Sequence, residues 1–336
     1  MMLNIIIFAI ATILIALFGT KLTTVADRLA DRTGLGEAIT GGLLLGATTS
    51  MAGITASVTA AIADHPAIAL SNALGGIAAQ TCFLAIADLC YRKANLEHAA
   101  ASVPNMMQGA LLIVLLALVM LASIGPDISF GGIHIITPIL LITYLFGMRM
   151  VRQTQTRPMW RPRITRQTRE DHPDEEDARS ASLPRLVLWF VFAAIVVVSS
   201  GWMLTRAVVD MAEQTGLSET IAGGVLTAIS TSIPELVTSI AAVRRGALTM
   251  AVGGVIGGNA FDTLFAAVAD VAYLDGSIYH NATPHEAWLV GLTILMTAVL
   301  LLGLLRRQEL GFAGIGFESV LVFVLYVLGM AAIGVG

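Results

Sequence analysis

Residues 215–243 read TGLSETIAGGVLTAISTSIPELVTSIAAV, and a variant of the same text stands at 33–61 as TGLGEAITGGLLLGATTSMAGITASVTAA. The register between them is a shift of 182 without a gap, and it continues. ALSNALGGIAAQTCFLAIAD (69–88) lies over AVGGVIGGNAFDTLFAAVAD (251–270). Across 33–88, 21 of 56 positions are identical, including Gly41/Gly223, Gly42/Gly224, Thr49/Thr231, Ser50/Ser232, Gly75/Gly257 and Asp88/Asp270. Shared apolar composition explains matches among alanines and leucines. It does not explain a gapless correspondence of Gly, Thr, Ser and Asp. The chain carries one unit twice.

The solvent of that unit follows from composition. Of 336 residues 56% are hydrophobic and 12% charged, with mean hydropathy +0.82, against about 25% charged in ordinary soluble domains. This is an integral membrane protein. The net charge of -4 points to no partner, and no nucleic acid or cofactor is expected. MMLNIIIFAIATILIALFG at the start lacks a basic n-region and a small-residue cleavage site, so it reads as a first span and not a removed signal. Cys82 and Cys90 lie eight residues apart on one apolar segment. That is roughly 12 Å along a helix, too far for a disulfide, and both are expected to be core thiols.

Runs long enough to cross about 30 Å of hydrocarbon fit ten times, at 2–20, 35–63, 66–90, 107–124, 131–149, 184–207, 217–243, 247–272, 287–305 and 312–334. The fold class predicted is an all-α polytopic membrane protein, ten transmembrane helices as two five-helix repeats. With the N-terminus outside, Lys21, Arg28, Arg32, Arg92, Lys93, the nine arginines from Arg149 to Arg185, Arg244, Arg245, Arg306 and Arg307 fall inside. That is 18 of the 19 Lys and Arg, with only Arg206 outside, the bias that sets topology. Five spans per unit is odd, so the second copy is inverted; the loop after 63 carries Asp64 and no base, its partner Arg244 and Arg245. The divisions are a first half at 1–149, a cytoplasmic linker at 150–183 and a second half at 184–336. The linker runs from basic (RPRITRQTR) to acidic (EDHPDEED) with three prolines, reads as a solvated charge run, and is expected to be dispensable. Both termini lie outside, with the cell (inner) membrane as the expected location.

Inverted repeats place substrate sites near the midplane, on interrupted helices. Segments 35–63 and 217–243 are longer than a straight span needs, and Thr-Ser interrupts each. In the second, Pro234 removes an N–H and clashes with the preceding turn, freeing carbonyls near Ala228 to Thr231. Glu235 sits at that break beside hydroxyls of Thr231, Ser232 and Thr238. On the next span, GGVIGGNAFDTLF puts Asn259 and Asp262 three apart on one helical face. The alternative for Glu235 is a protonated carboxyl bridging two helices, but two acids converging with an amide favour a cation site, since intramembrane acids are as a rule functional. Gly253, Gly254, Gly257 and Gly258 read as packing residues that let another backbone approach. Asp88 and Asp270, near helix ends, are expected to snorkel to the interface. The six histidines lie in or near loops and receive no role.

Two copies of G-T-S-x-P-E followed by G-S-N-x-F-[N/D] resemble the calcium/cation antiporter superfamily, nearest its sodium/calcium exchanger branch. The likeness spans the ten-helix plan and is strongest over 33–90 and 215–272. It implies an ion site built from the motif Glu and the final Asn or Asp of each repeat, helped by the Thr-Ser pair. Position by position that means Glu235, Asp262, Thr231 and Ser232 in the second repeat and Thr49 and Ser50 in the first. The first repeat departs from the pattern: TTSMAG puts Gly53 where the other glutamate belongs, and GGIAAQ puts Gln80 at the final amide. The motif serines are Gly76 and Gly258.

The metal-ligand set is therefore Glu235, Asp262, Thr231, Ser232, Asn259, Thr49, Ser50 and Gln80. Calcium takes about six to eight oxygens, several from carboxylates, and two acids balance one calcium or two monovalent ions. The expected function is secondary-active antiport of calcium against sodium or protons, with cations and the lipid bilayer as the partners. The alternatives are a monovalent cation/proton exchanger and a transport-inactive membrane scaffold. An enzyme is not expected, since the sequence offers no metal-ligand histidine cluster and no nucleophile–base pair.

Overall fold

A computed structural model describes residues 1–34, 37–91, 93–168, 182–215, 227–281, 283–311 and 315–335. Arg92, Gly223 and Gly224, along with 169–181 of the linker, lie outside the described residues. The described residues are helical almost throughout. In order come α1 (Met2–Thr33), α2 (Glu37–Ile39), a π-helical stretch (Thr40–Gly46), α3 (Ala47–Thr49), α4 (Met51–Ile62), α5 (Pro66–Cys90), α6 (Leu96–Ala99) and α7 (Val103–Ile124). A hairpin of β1 (Ser129–Phe130) and β2 (Ile133–His134) leads to α8 (Ile136–Thr156). The remainder is α9 (Leu183–Thr215), α10 (Ala228–Thr231), α11 (Ile233–Arg245), α12 (Leu248–Ala272), a 3-10 turn (Ile278–Asn281), α13 (Pro284–Arg306) and α14 (Phe317–Val335).

Six of these helices are long and apolar enough to span a membrane, seven when the pair Glu37–Thr49 and Met51–Ile62, bent by 46°, counts as one. Exposure runs the opposite way to a soluble fold. Leu3, Ile5, Ile6, Ile13 and Leu17 of α1 and Leu188 and Ile195 of α9 are exposed, whereas Thr40, Thr49, Ser50, Asn72, Gln80, Asn259 and Asp262 are buried. A surface of that kind is covered by lipid. Helices α5 and α12 are the most enclosed, with 83% of their apolar windows buried, and α1 the least, at 17%. The two central helices are repeat partners. They carry Gln80 on one and Asn259 and Asp262 on the other.

Small residues set the contact between the π-helical stretch and α12. A Cβ added to Gly257 would stand 2.4 Å from Gly42 Cα, and one added to Gly41 2.5 Å from the Met250 carbonyl oxygen. The glycines are packing residues, as their sequence context predicts. Helix starts also follow local signals: Ser102 accepts the Asn105 N–H ahead of α7, and Thr283-Pro-His-Glu286 forms a capping box ahead of α13.

Four expectations are corrected. The apolar run from 131 does not begin as a helix: Gly131 and Gly132, with φ of 61° and 85°, turn the β1–β2 hairpin, and α8 starts at Ile136. Cys90 is exposed, while Cys82 is buried, both as free thiols. Asp88 and Asp270 do not snorkel. Asp88 accepts the Leu96 and Gly316 N–H groups (2.7 and 3.3 Å) and the Ser319 hydroxyl (2.9 Å). Asp270 accepts the Ile278 and His134 N–H groups (3.0 and 2.9 Å) and the Thr137 hydroxyl (2.6 Å). Shifted by 182, each donor in one set is its counterpart in the other, so the repeat is written into side-chain contacts beyond the stretch where the letters match. The described part of the linker is docked. Thr165 Oγ1 lies 2.7 Å from His98 Nε2, Arg307 donates to Thr168 Oγ1 (2.7 Å), and the Arg163 carbonyl also accepts from Arg307.

Candidate functional site

Each of two broken segments brings a polar turn to the flank of a central helix. In the second, α10 ends at Thr231, Ser232 is a turn residue, and α11 begins at Ile233 with Pro234 in its first turn. Proline is tolerated there because an N–H in the first turn has no intrahelical acceptor. Glu235 follows in the same turn, where the helix dipole favours a negative group. In the first segment the break falls at Ser50, between α3 and α4.

The two breaks and the two central helices converge. Ser50 donates to Glu235 Oε1 across 3.3 Å, joining the first break to the second. Gln80 Nε2 donates to Asp262 Oδ2 at 2.7 Å and to Ser232 Oγ at 3.4 Å. Gln80 and Asp262 are themselves repeat partners. Asn259 donates to Thr81 Oγ1 (2.9 Å) and so ties α12 to α5. The threonines bond to their own helices, Thr49 to the Leu45 and Gly46 carbonyls and Thr231 to the Ala228 carbonyl. Thr238, expected beside Glu235, bonds back to the Pro234 and Glu235 carbonyls. Glu235 is 3% exposed and Asp262 1%.

The donors do not cover the acceptors. Glu235 Oε2, Asp262 Oδ1, Gln80 Oε1 and Asn259 Oδ1 are all buried without a hydrogen-bond partner among the described residues. A buried acceptor left unmet costs about 1–3 kcal/mol, more for a charged group. Four of them, drawn from two acids and two amides on the elements that meet here, are hard oxygen atoms, the donor type that calcium takes.

Three neighbours escaped sequence reasoning. Asn72 donates to the Gly53 carbonyl (3.0 Å) and to Ser57 (2.9 Å); its repeat partner is Gly254, so the repeat gives no signal for it. Thr81 links Asn259 to α5, and the shared Thr81/Thr263 was a visible hint. Phe265 fills the space in front of Gly53, since a Cβ there would meet its ring at 2.7 Å. The volume that a second glutamate would use belongs to an aromatic ring.

With this geometry in hand, the profile of the sodium/calcium exchanger protein family matches residues 3–151 and again 185–333. The chain belongs to that family. Both ends of the two matched stretches are offset by 182 (185 less 3, and 333 less 151), the register of the repeat. Inner membrane protein YrbG of Escherichia coli is 35% identical over 122 residues, but that match spans only 34% of YrbG and 35% of this chain. Uncharacterized membrane protein MJ0091 of Methanocaldococcus jannaschii is 23% identical over 314 residues, covering 93% of this chain and 91% of that protein. A solved structure of the sodium-calcium exchanger NCX_Mj, soaked with 10 mM Na+ and zero Ca2+, superposes with TM-score 0.74 over 98% of both chains at 19% identity. This exchanger-family chain shares that fold.

Proposed function

We propose that this exchanger-family protein is a secondary-active antiporter that moves calcium against sodium or protons by alternating access. The cation is its substrate, held at Glu235 and Asp262 with oxygens from Gln80, Asn259, Ser50, Ser232, Thr49 and Thr231. One observation carries the reading: four buried oxygens without donors among the described residues belong to the side chains that link the second broken segment and the two central helices. The two acids supply the charge, and the amides and hydroxyls replace part of the hydration shell.

The same reading takes the chain as ten spans, two five-helix halves at 1–149 and 184–336 inverted in the cell membrane, with 150–183 cytoplasmic and the termini outside. The lopsided distribution of Lys and Arg supports that orientation. A second reading, monovalent cation/proton exchange, draws on Gly53 and Phe265, because a site with two acids is less suited to a divalent ion. Proteoliposomes given calcium, sodium and pH gradients one at a time separate them. Calcium uptake driven by an outward sodium or proton gradient is expected. Sodium–proton exchange indifferent to calcium would replace the first reading with the second, and no flux under any gradient would leave a scaffold.

A further inference from the structure

We propose that Asp127, His134 and His280 form a binding site for a borderline transition-metal divalent cation such as Zn2+, separate from the intramembrane carboxylates. One ligand atom from each side chain lies within 4.8 Å of the others. Asp127 Oδ1 is 3.8 Å from His280 Nδ1, and the two imidazole centroids are 5.4 Å apart. A tetrahedral zinc with bonds of roughly 2.0–2.1 Å sets its ligand atoms about 3.4 Å from one another. Closing this trio takes a shift of about 1 Å, and the exposed Asp127, whose Oδ1 also accepts the Ser129 hydroxyl at 2.5 Å, is the side chain placed to make it.

The lone pairs are available. His280 Nε2 lies 3.1 Å from the Gly125 carbonyl. Donating there fixes the tautomer and leaves the Nδ1 lone pair toward Asp127, the outer-shell arrangement that orients metal-binding histidines. His134 is 3% exposed, and its Nε2 is buried without a partner among the described residues. Its Nδ1 takes a long 3.2 Å contact from the Ile136 N–H. Moving the ring proton to Nδ1 gives up that contact and offers Nε2 to the metal. The metal bond to a buried, unpartnered nitrogen is set against the loss of that contact and the turning of the Nδ1–H toward the Ile136 N–H.

The frame beneath the site is rigid. Asp270 holds His134 and Thr137 through one carboxylate oxygen and Ile278 through the other, and the His134 ring packs edge-on against Tyr279 at 5.5 Å. A metal here joins the α7–α8 hairpin to the α12–α13 turn, one connection from each repeat. The repeat also separates frame from site. Around Asp88 the same scaffold recurs, with His98 at the place of His280 and the Arg307 carbonyl (2.6 Å from His98 Nδ1) at that of Gly125. There, however, Gly316 replaces His134, Glu309 replaces Asp127, and the second nitrogen of His98 is taken by Thr165. The scaffold around Asp88 thus keeps a histidine and an acid at two of the three positions and lacks the third ligand, with Gly316 where His134 stands. Sequence reading missed the cluster because His134 and His280 are distant in the chain and each looks like a loop residue.

The test is a Zn2+ titration of the purified, chelator-stripped full chain in detergent, by calorimetry and thermal shift, with calcium present at millimolar concentration. One saturable site per chain is expected, with a raised unfolding temperature. His280→Ala and Asp127→Asn, both at solvent-accessible positions, should each weaken binding by at least about tenfold and abolish the thermal shift. Glu235→Gln should leave both readouts unchanged. Binding that survives His280→Ala and Asp127→Asn, or that disappears in Glu235→Gln, overturns the assignment by putting the metal elsewhere. No saturable binding at all overturns it too, leaving His280 and Asp127 as a simple ion pair.

Discussion

The two broken segments occupy the same place in their repeats and have been furnished differently. At the second break stand Pro234 and Glu235, a carboxylate with one oxygen bonded to Ser50 and one unmet among the described residues. At the first stand Ala52 and Gly53, with the Asn72 amide on the Gly53 carbonyl and the Phe265 ring where a side chain would go. The difference extends to the central helices, where Gln80 faces Asp262 as its neutral partner. A repeat can therefore keep its backbone plan while one copy carries the charge and the other supplies packing and amide donors.

The comparison breaks most plainly if the charged half is neutralised. Glu235→Gln and Asp262→Asn each leave one acid to balance the cation. Removing one member of a buried charge set costs about 3–5 kcal/mol, so cation-dependent flux in proteoliposomes should fall by roughly 100-fold or more. Flux indifferent to both variants would remove the site from the proposed mechanism.

Restoring the absent acid is the next largest effect, and its direction comes from packing. A Cβ at residue 53 meets Phe265 Cε2 at 2.7 Å and Cζ at 3.3 Å. Overpacking of that kind costs about 1–3 kcal/mol, before any penalty for a new buried charge. Gly53→Glu alone should lower thermal stability and gain no calcium flux. Gly53→Glu with Phe265→Ala should recover stability, and calcium dependence would emerge in that double variant. A stable Gly53→Glu single variant with new calcium flux would mean that the ring does not hold the position.

Much of this was legible beforehand because the repeat acts as an internal alignment. Glu235, Asp262, Gln80 and the Thr-Ser pairs stand at equivalent positions of two similar texts, and their polarity is conspicuous against an apolar ground. What was not legible lay outside that signal. Asn72 and Phe265 have partners of another kind or an apolar face, and the contents of a void are a matter of tertiary packing. The roles of Asp88 and Asp270 were misjudged because position near a helix end suggests snorkelling, whereas their acceptors gather loop N–H groups distant in sequence. The hairpin at 129–134 hid in a run whose hydropathy resembles a span.

A smaller contrast separates the two glycines at the motif-serine positions. A Cβ on Gly76 would have Ser232 Oγ as its nearest neighbour at 3.6 Å, ordinary contact, whereas one on Gly258 would stand 3.3 Å from Gly46 Cα. Gly76→Ser should therefore fold like the parent and bring a further hydroxyl beside Ser232 and Gln80. Gly258→Ser pushes on backbone and should cost about 1–3 kcal/mol. Thermal melts of the two variants in detergent test this, and equal losses would mean that both sides of the junction are equally tight.

The smallest effect expected concerns the two aspartate hubs. Around Asp88 the repeat adds two further acids, Glu97 and Glu318, where Asp270 has Tyr279 and Ile136. Glu97 is 1% exposed and Glu318 is fully buried, and the two carboxyl groups hydrogen-bond to each other, which requires a proton on one of them. Burial first, then the charges of Asp88 and Glu318, hold Glu97 well above the usual carboxylate range. The folded chain therefore keeps a proton on Glu97 that the unfolded chain releases at about pH 4.3. Through this group, stability is greatest below that pH and declines as pH rises toward the folded value. Glu97→Gln keeps the shape and a donor while removing the titration. Its unfolding temperature should match the parent's near pH 4 and exceed it by a few degrees at pH 8, the gap opening steadily between. A gap of the same size at both ends would mean that Glu97 is charged in the folded protein and that the hub tolerates three carboxylates at once.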